Sequence, residues 1–386
     1  MRYWVKKMNA KRIEKVCVTG GAGFIGSHTV DLLINHGYHV SILDNLEPQV
    51  HVEADKAPSY VNKDADFVHG DIRDSELVKR IVLENDAIIH LASMVGIGQS
   101  MYQVKRYIET NTEGTANLLD ALVNNENNVR KLIVASSMSV YGEGKYYCEK
   151  CSTNSFPKLR GEEQIQSQLE PLCAMCNSPL ISLPTDEEKP LMPTSIYAMT
   201  KRHQEEMVLL VGRTYGIPSV ALRFFNVYGS RQSLKNPYTG VAAIFLSRLL
   251  NKKPPFVFED GDQTRDFIHV KDAAQAILLA LEKSTADYKP VNVGTGKATS
   301  IAKVAEILAS LLNLDIKPVI SGKFRKGDIR HCFADISKAK GLLGYQPKIG
   351  IEEGFRELVA WAKGHHWEAI DLFDNAVSEL EKKNLT

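Results

Sequence analysis

A glycine-rich turn between an apolar strand and a helical pattern constrains this chain more than any other feature. Residues 16–18 (Val-Cys-Val) run into residues 19–26 (Thr-Gly-Gly-Ala-Gly-Phe-Ile-Gly), and a second apolar strand ends at Asp44. This order of strand, glycine turn, helix, strand and acid is typical of a βαβ unit that binds a dinucleotide. We therefore expect the chain to begin with a parallel α/β sheet.

The glycines and the acid each have a physical role in such a unit. Gly20 permits the tight turn, Gly23 lets the backbone approach a pyrophosphate, and Gly26 lets the helix pack closely on the sheet. The positive end of the helix dipole faces the phosphates. Asp44 is placed to accept hydrogen bonds from ribose hydroxyls and would repel a 2′-phosphate, so the pattern predicts NAD rather than NADP.

Further apolar segments extend the pattern towards a doubly wound parallel (Rossmann) sheet of the α/β class. They cover residues 66–69, 87–92 and 131–137. The predicted organisation, in chain order, is a loose N-terminal extension at 1–14, a Rossmann domain at 15–225 with an insertion at 143–190, a smaller α/β substrate lobe at 226–261 and 286–350, and a C-terminal helix and tail at 351–386. Residues 262–285 are expected to return to the Rossmann domain, and the charged stretch from Asn375 to be solvated.

A tyrosine and a lysine four residues apart form the candidate catalytic pair. Tyr197 and Lys201 lie on one face of a predicted helix. A nearby ammonium favours the phenolate, so we expect the pKa of Tyr197 to fall towards the working pH. Ser137, at the end of a predicted strand, is placed to hydrogen-bond the same substrate hydroxyl.

These motifs resemble the extended short-chain dehydrogenases/reductases, specifically the nucleotide-sugar epimerases and dehydratases. The resemblance runs from about Lys15 to about Trp361 with one insertion. The matching segments are 19–26, 70–74, 90–93, Asn111 with 114–115, 136–142, 197–201, 222–229, 261–272, 325–328 and 334–335.

The resemblance implies roles for individual residues. Catalysis falls to Ser137, Tyr197 and Lys201. Cofactor contacts fall to Gly20, Gly23, Phe24, Ile25, Gly26, Asp44, Asn45, Asp71, Ile72, Leu91, Ala92, Ser93, Asn111, Tyr197, Lys201 and Phe224. Contacts to a nucleotide diphosphate and its sugar fall to Ser137, Asn226, Arg265, Arg325 and Asp328. Planar, cationic arginines suit a diphosphate, although a structural ion pair of Arg265 with its neighbour Asp266 is an alternative.

The two residues after Ser137 favour one reaction within the family. Dehydratases of the family carry an Asp-Glu pair there, whereas this chain has Met138 and Ser139, which cannot act as a strong acid or base. The remaining reaction is 4-epimerisation through a transient 4-keto sugar. The alternatives are a nucleotide-sugar dehydrogenase and a dinucleotide sensor without catalysis.

An insertion between Ser137 and Tyr197 carries two CxxC pairs, Cys148 with Cys151 and Cys173 with Cys176. Four thiolates in two such pairs predict a structural, tetrahedral zinc site in a ribbon-like fold. A redox pair or unlinked cysteines are the alternatives. An epimerase with such an insert resembles the dTDP-L-rhamnose 4-epimerase group, and a UDP-glucose or UDP-N-acetylglucosamine type of 4-epimerase is the nearest rival.

The charge balance disfavours two classes of partner. Lys and Arg total 47 against 46 for Asp and Glu, a formal net charge of +1. Neither a nucleic acid nor an anionic membrane is therefore expected as a partner. The basic N-terminus has no apolar run typical of a secretory signal, so we expect a cytoplasmic protein. The family resemblance implies a homodimer.

Overall fold

The computed structural model describes residues 12–51, 56–366 and 369–386. Residues 1–11 of the predicted N-terminal extension lie outside the described residues. The strands are β1 (Lys15–Thr19), β2 (His39–Asp44), β3 (Asp66–His69), β4 (Ala87–His90), β5 (Lys131–Ser137), β6 (Lys145–Cys148), β7 (Thr153–Ser155), β8 (Ile181–Leu183), β9 (Ser219–Phe224), β10 (Asn226–Tyr228), β11 (Phe256–Val257), β12 (Thr264–Arg265), β13 (Phe267–His269), β14 (Lys289–Val293), β15 (Thr299–Ser300), β16 (Val319–Ile320) and β17 (His331–Cys332).

The helices complete the described part of the chain. They are α1 (Phe24–Asn35), α2 (Ser75–Glu84), α3 (Ile97–Ser100), α4 (Val104–Tyr107), α5 (Gly114–Asn124), α6 (Glu162–Ser167), α7 (Ile196–Tyr215), α8 (Val241–Leu250), α9 (Val270–Glu282), α10 (Ile301–Leu311), α11 (Ser337–Leu343), α12 (Ile351–Gly364) and α13 (Phe373–Lys382). A π-helical turn spans Ile108–Glu113 and a 3₁₀ turn spans Met138–Tyr141.

The central sheet has seven strands in the described part of the chain, in the order β14-β9-β5-β4-β1-β2-β3. All of its neighbouring strands pair in parallel. The chain leaves β1 towards β2 on one side and later returns to β4 on the other. That change of direction opens a crevice at the carboxyl ends of β1 and β4. The predicted doubly wound parallel sheet is confirmed.

Apolar side chains cover the sheet on both faces, as a parallel sheet between two helical layers requires. One face packs against α1 and α9, with Val18, Ile89 and Ile277 fully buried in that core. The other face packs against α2, α5 and α7, with Ile88 and Leu118 in its core. Helices α8, α10 and α12 enclose a separate core in the smaller lobe.

Strand β14 corrects one predicted boundary. The sequence placed residues 286–350 in the smaller lobe, but Lys289–Val293 hydrogen-bonds with β9 at the edge of the central sheet. The residues of β14 from Val291 to Val293 are buried and pack in the core of the central sheet. A short apolar strand suits either lobe, so the sequence alone does not assign β14. Its pairing with β9 shows that it belongs to the central sheet.

The tail prediction is also wrong. The charged stretch from Asn375 was expected to be solvated, yet it belongs to α13, whose residues Phe373, Ala376 and Leu380 are buried. Charged residues occupy the outer face of this helix, and apolar residues at helical spacing occupy the inner face. Arg248 in α8 holds the start of α13 by an ion pair with Asp374 at 2.6 Å.

Candidate active site

A cavity of about 550 Å³ opens at the carboxyl edge of the central sheet and continues between the two lobes. Most of the residues predicted to contact cofactor or substrate line it. These are Gly20, Gly23, Phe24, Ile25, Gly26, Asp44, Asn45, Ile72, Leu91, Ala92, Ser93, Ser137, Tyr197, Lys201, Phe224, Asn226, Arg265, Arg325 and Asp328. The structure therefore gathers side chains from the whole length of the chain at one cleft.

The glycine turn after β1 has the shape that a pyrophosphate needs. Gly20 has a φ of +70°, which favours glycine. A Cβ on Gly26 would lie 2.1 Å from the carbonyl oxygen of Gly20, so this helix residue has no room for a side chain. Among the described residues, no side chain caps the N-terminus of α1, and no acid lies in its first turn. The first N–H groups of α1 are thus available to an anion.

Asp44 lies at the end of β2 beside this turn and is 8% exposed. One carboxylate oxygen accepts a hydrogen bond from the Ala22 N–H at 3.0 Å, and the other accepts one from the Leu46 N–H at 2.9 Å. These bonds fix the carboxylate while each oxygen keeps a lone pair for a further donor. The arrangement fits the ribose hydroxyls of NAD.

Two predicted cofactor residues lie behind the cavity wall. Asn111 is fully buried and bonds both backbone groups of Met94, at 2.7 and 3.1 Å. Asp71 accepts two hydrogen bonds from the Arg73 guanidinium, which lowers the pKa of Asp71 to about 2. Both residues therefore hold loops that line the site instead of facing the cavity, a distinction that family resemblance along the sequence does not make.

Ser137, Tyr197 and Lys201 meet where β5 ends and α7 begins. Ser195 caps the helix by accepting a hydrogen bond from Ala198 N–H at 3.1 Å. Lys201 is 3% exposed and donates to the Ala135 carbonyl at 3.0 Å, which ties α7 to β5. The Ser137 hydroxyl oxygen accepts a hydrogen bond from the Ser139 hydroxyl at 2.9 Å. The predicted catalytic set therefore lines one wall of the cavity.

The sequence predicted a lowered pKa for Tyr197, and this is wrong when only the protein's own groups surround the phenol. Burial raises the pKa of Tyr197, and the hydrogen bond with Ser137 only partly offsets this. Burial also lowers the pKa of Lys201 to about 7. Desolvation penalises both charged forms, and at this depth it outweighs the attraction expected from helical spacing.

Arg265 settles one alternative left open by the sequence. The neighbouring Asp266 does not pair with it; Asp266 is fully buried and accepts hydrogen bonds from Thr295, Gly296 and Ala334. The Arg265 guanidinium instead donates to the carbonyls of Thr264, Ile329 and Arg330 at 2.7–3.0 Å. Carbonyls orient a guanidinium without neutralising its charge, so Arg265 presents a fixed positive group to the cavity.

Three more predicted substrate residues, Arg325, Asp328 and Asn226, line the same cavity. Arg325 forms a bidentate ion pair with Asp328, at 2.8 and 3.2 Å, and its guanidinium lies 4.8 Å from the ring centre of Phe258. Asn226, at the start of β10, has a buried side-chain oxygen without a hydrogen-bond partner among the described residues. A buried unpaired acceptor suits a ligand donor.

The structure adds wall residues that the sequence reasoning missed. Phe373, Ala376, Val377 and Leu380 of α13 line the cavity, and Leu380 lies against Gly98 in α3. Helix α13 thereby bridges the two sides of the cleft. Apolar residues at helical spacing in the last 15 residues were the available signal, but the surrounding charges concealed it.

The four cysteines of the insertion come together at one end of a small sheet, β7-β6-β8. Their sulfur atoms all lie within 4.8 Å of one another, with Cys148–Cys176 at 3.5 Å and Cys151–Cys173 at 3.9 Å. A disulfide requires about 2.05 Å. Four Zn–S bonds of about 2.3 Å in a tetrahedron place the sulfur atoms about 3.8 Å apart. The donor set and its spacing therefore fit zinc.

Comparison with known proteins identifies the family. The pattern of the NAD dependent epimerase/dehydratase family matches residues 16–161 and 175–294. The chain belongs to this family. The dTDP-L-rhamnose 4-epimerase of Burkholderia thailandensis is 35% identical over 92% of this chain and 97% of its own length. A putative UDP-glucose 4-epimerase of Methanocaldococcus jannaschii is also 35% identical, over 91% and 99%.

A solved structure of a related epimerase has the same fold and contains both a nucleotide sugar and NAD. The UDP-glucuronic acid 4-epimerase of Bacillus cereus, in complex with UDP-glucuronic acid and NAD, has a TM-score of 0.74 and 26% identity. The match covers 91% of this chain and 99% of that one. The predicted NAD-dependent nucleotide-sugar epimerase is thus confirmed. Within the described residues, no helix combines the length and apolar character needed to span a membrane.

Proposed function

We propose that this epimerase inverts C4 of a nucleotide-linked hexose, with dTDP-L-rhamnose as its substrate. The observation that carries the proposal is the meeting of Ser137, Tyr197 and Lys201 with the glycine turn and the Arg265 guanidinium around one cavity. The 4-epimerase of B. thailandensis supports the choice of sugar. The equal identity of the M. jannaschii protein makes UDP-glucose the second candidate.

The protein's groups supply binding and proton transfer. The Tyr197 phenolate takes the proton of the C4 hydroxyl, which the Ser137 hydroxyl holds in place. Bound NAD⁺ would supply reversible hydride transfer at C4, with return to the other face of the 4-keto sugar, and the positive charge of its nicotinamide ring. That charge favours the phenolate of Tyr197 against the effect of burial. Tyr197 then returns its proton, so the reaction consumes no cofactor.

The same geometry supports a division of labour between the lobes. The turn after β1 and Asp44 would hold NAD against the central sheet. Arg265, Arg325 and Asp328, together with Asn226, would hold the diphosphate and its ribose on the other side of the cavity. Met138 and Ser139 offer no acid or base for water elimination, which argues against a dehydratase.

We further propose that the insertion binds one structural zinc through Cys148, Cys151, Cys173 and Cys176, because four thiolates leave no open position for catalysis. Thiolates persist in a reducing compartment, which supports a cytoplasmic location. Exposed apolar residues occur on elements that pack together, with Val104 on α4 and Ile108 on the π-helical turn, and Met199 and Leu210 on α7, which supports a homodimer. Zinc content of the purified protein and of Cys173→Ser, by atomic absorption, tests the metal.

The reaction is tested by proton NMR without added NAD. Purified protein is incubated separately with dTDP-L-rhamnose, UDP-glucose and UDP-N-acetylglucosamine, with Tyr197→Phe as the matched control. Appearance of the C4 epimer of dTDP-L-rhamnose only with the unmodified protein supports the proposal. If only a UDP-sugar were converted, that sugar would replace dTDP-L-rhamnose as the proposed substrate. No conversion of any of them by protein that contains NAD would refute the 4-epimerase assignment.

A further inference from the structure

We propose that the cysteine-bearing insertion positions the diphosphate-binding Arg265, acting through Arg330. The inference rests on the proposed function, because it concerns the same substrate site. It assigns the insertion a part in substrate binding and makes Arg330 and Glu170 positioning residues for the reaction.

The insertion joins the smaller lobe through a buried ion network. Arg160 of the insertion is 5% exposed and donates to both carboxylate oxygens of Glu259, at 2.8 and 3.0 Å. Glu259 is 4% exposed and also lines the cavity. Removing one partner from such a buried pair leaves an uncompensated charge. The contact therefore fixes the insertion against the cavity wall.

Arg330 is the centre of this network and is 2% exposed. Its Nε donates to Glu170 of the insertion at 2.8 Å, and its Nη groups donate to Glu259 at 3.1 Å and to Asp260 at 2.6 and 2.8 Å. One guanidinium thus joins a carboxylate from the insertion to two carboxylates from the smaller lobe. A planar guanidinium whose N–H groups donate to three carboxylates has little freedom to move.

The insertion also holds the backbone on which Arg330 lies. Glu143, at the start of the insertion, is 2% exposed and accepts the Arg330 N–H at 2.8 Å. The second carboxylate oxygen of Glu170 lies 3.0 Å from Nε2 of His331. Residues 330 and 331 are therefore fixed through both side chains and backbone by the same inserted segment.

The fixed backbone is the backbone that orients Arg265. The carbonyls of Ile329 and Arg330 accept two of its guanidinium hydrogen bonds, at 2.7 and 3.0 Å. A shift of this segment would therefore displace the Arg265 charge. The network itself has two arginines against four carboxylates, namely Arg160 and Arg330 against Glu143, Glu170, Glu259 and Asp260, so it would not attract a diphosphate. Its effect on binding comes through position.

The test compares Glu170→Gln with Glu163→Gln in the full-length protein. Glu163 is an exposed acid of the same insertion and serves as the matched control. Dissociation constants for UDP and dTDP are measured by calorimetry, together with kcat, KM, and NAD and zinc contents. We expect Glu170→Gln to weaken binding by about tenfold, comparable with the loss of one hydrogen bond to a charged group. KM should rise similarly, with kcat within about twofold.

The control should bind as the unmodified protein does, and Glu170→Asp should recover part of the affinity. Arg330→Lys provides a second variant that should also weaken binding. Unchanged dissociation constants in folded, zinc-containing Glu170→Gln and Arg330→Lys would overturn the inference. Equal losses of kcat and NAD content would also overturn it, because they would show general destabilisation. Failure of the unmodified protein to bind either nucleotide would instead count against the proposed function.

Discussion

Replacing Gly26 by alanine should remove NAD from the protein while leaving the fold largely intact. The added Cβ would lie 2.1 Å from the Gly20 carbonyl oxygen, 2.7 Å from the Gly21 Cα and 2.9 Å from the Gly20 carbonyl carbon. All three are backbone atoms, so a change of side-chain rotamer cannot relieve the clash. Nonbonded carbon atoms prefer about 3.5–4.0 Å, and α1 must therefore move by about 1 Å away from the turn.

The cost of that movement divides between stability and binding. Overpacking of this kind costs about 1–3 kcal/mol, which predicts a fall of a few degrees in Tm. The effect on NAD should be larger, because a displaced helix N-terminus no longer points its N–H groups at the pyrophosphate. We expect the purified variant to hold less than about a tenth of the NAD of the unmodified protein, a loss of more than about 1.4 kcal/mol.

The measurement is the NAD released by acid from purified protein, quantified by chromatography, with Tm measured in parallel. Gly341→Ala is the matched control, because Gly341 is also helical but its added Cβ would meet nothing within 4 Å. Alanine there should raise stability by up to about 1 kcal/mol and leave the NAD content unchanged. A Gly26→Ala protein with full NAD content and an unchanged Tm would refute the steric reasoning.

Three further predictions concern the chemistry, the pH dependence and the cavity wall. Tyr197→Phe should lower kcat by about 10²–10⁴-fold with NAD still bound, since it removes only proton transfer; near-normal turnover by NMR would exclude Tyr197 as the base. Burial lowers the pKa of His90 to about 3, so between about pH 6.5 and 3 the unfolded chain binds more protons than the folded protein, and the free energy of unfolding falls as the pH falls. In urea unfolding, His90→Gln should lose less stability over this pH range than the unmodified protein. Parallel plots of unfolding free energy against pH for the two proteins would contradict this. Leu380→Asp places a charge on the cavity wall and should raise KM severalfold with NAD content unchanged, whereas the exposed Ser378→Ala should change neither; an unchanged KM would show that α13 does not contact the substrate.

Local patterns in the chain are sufficient to predict the cofactor site. The glycine turn, Asp44, and the spacing of Tyr197 and Lys201 are short-range features, because one turn or one helix fixes the distances within them. The parallel sheet followed in the same way from alternating strands and helices. The two CxxC pairs predicted a cluster, since each pair forms its own turn.

Tertiary structure decided what depends on packing between distant segments. Burial reversed the expected direction of the Tyr197 pKa, and desolvation depends on atoms contributed by the whole fold. The carbonyls that orient Arg265 come from residues about 65 positions away, and the partners of Arg330 include Glu170, at a separation of 160. The sequence of α13 is typical of a charged surface helix, and only the tertiary structure shows that its inner face lines the cavity. A sequence specifies these contacts only through the complete fold, because no local period encodes them.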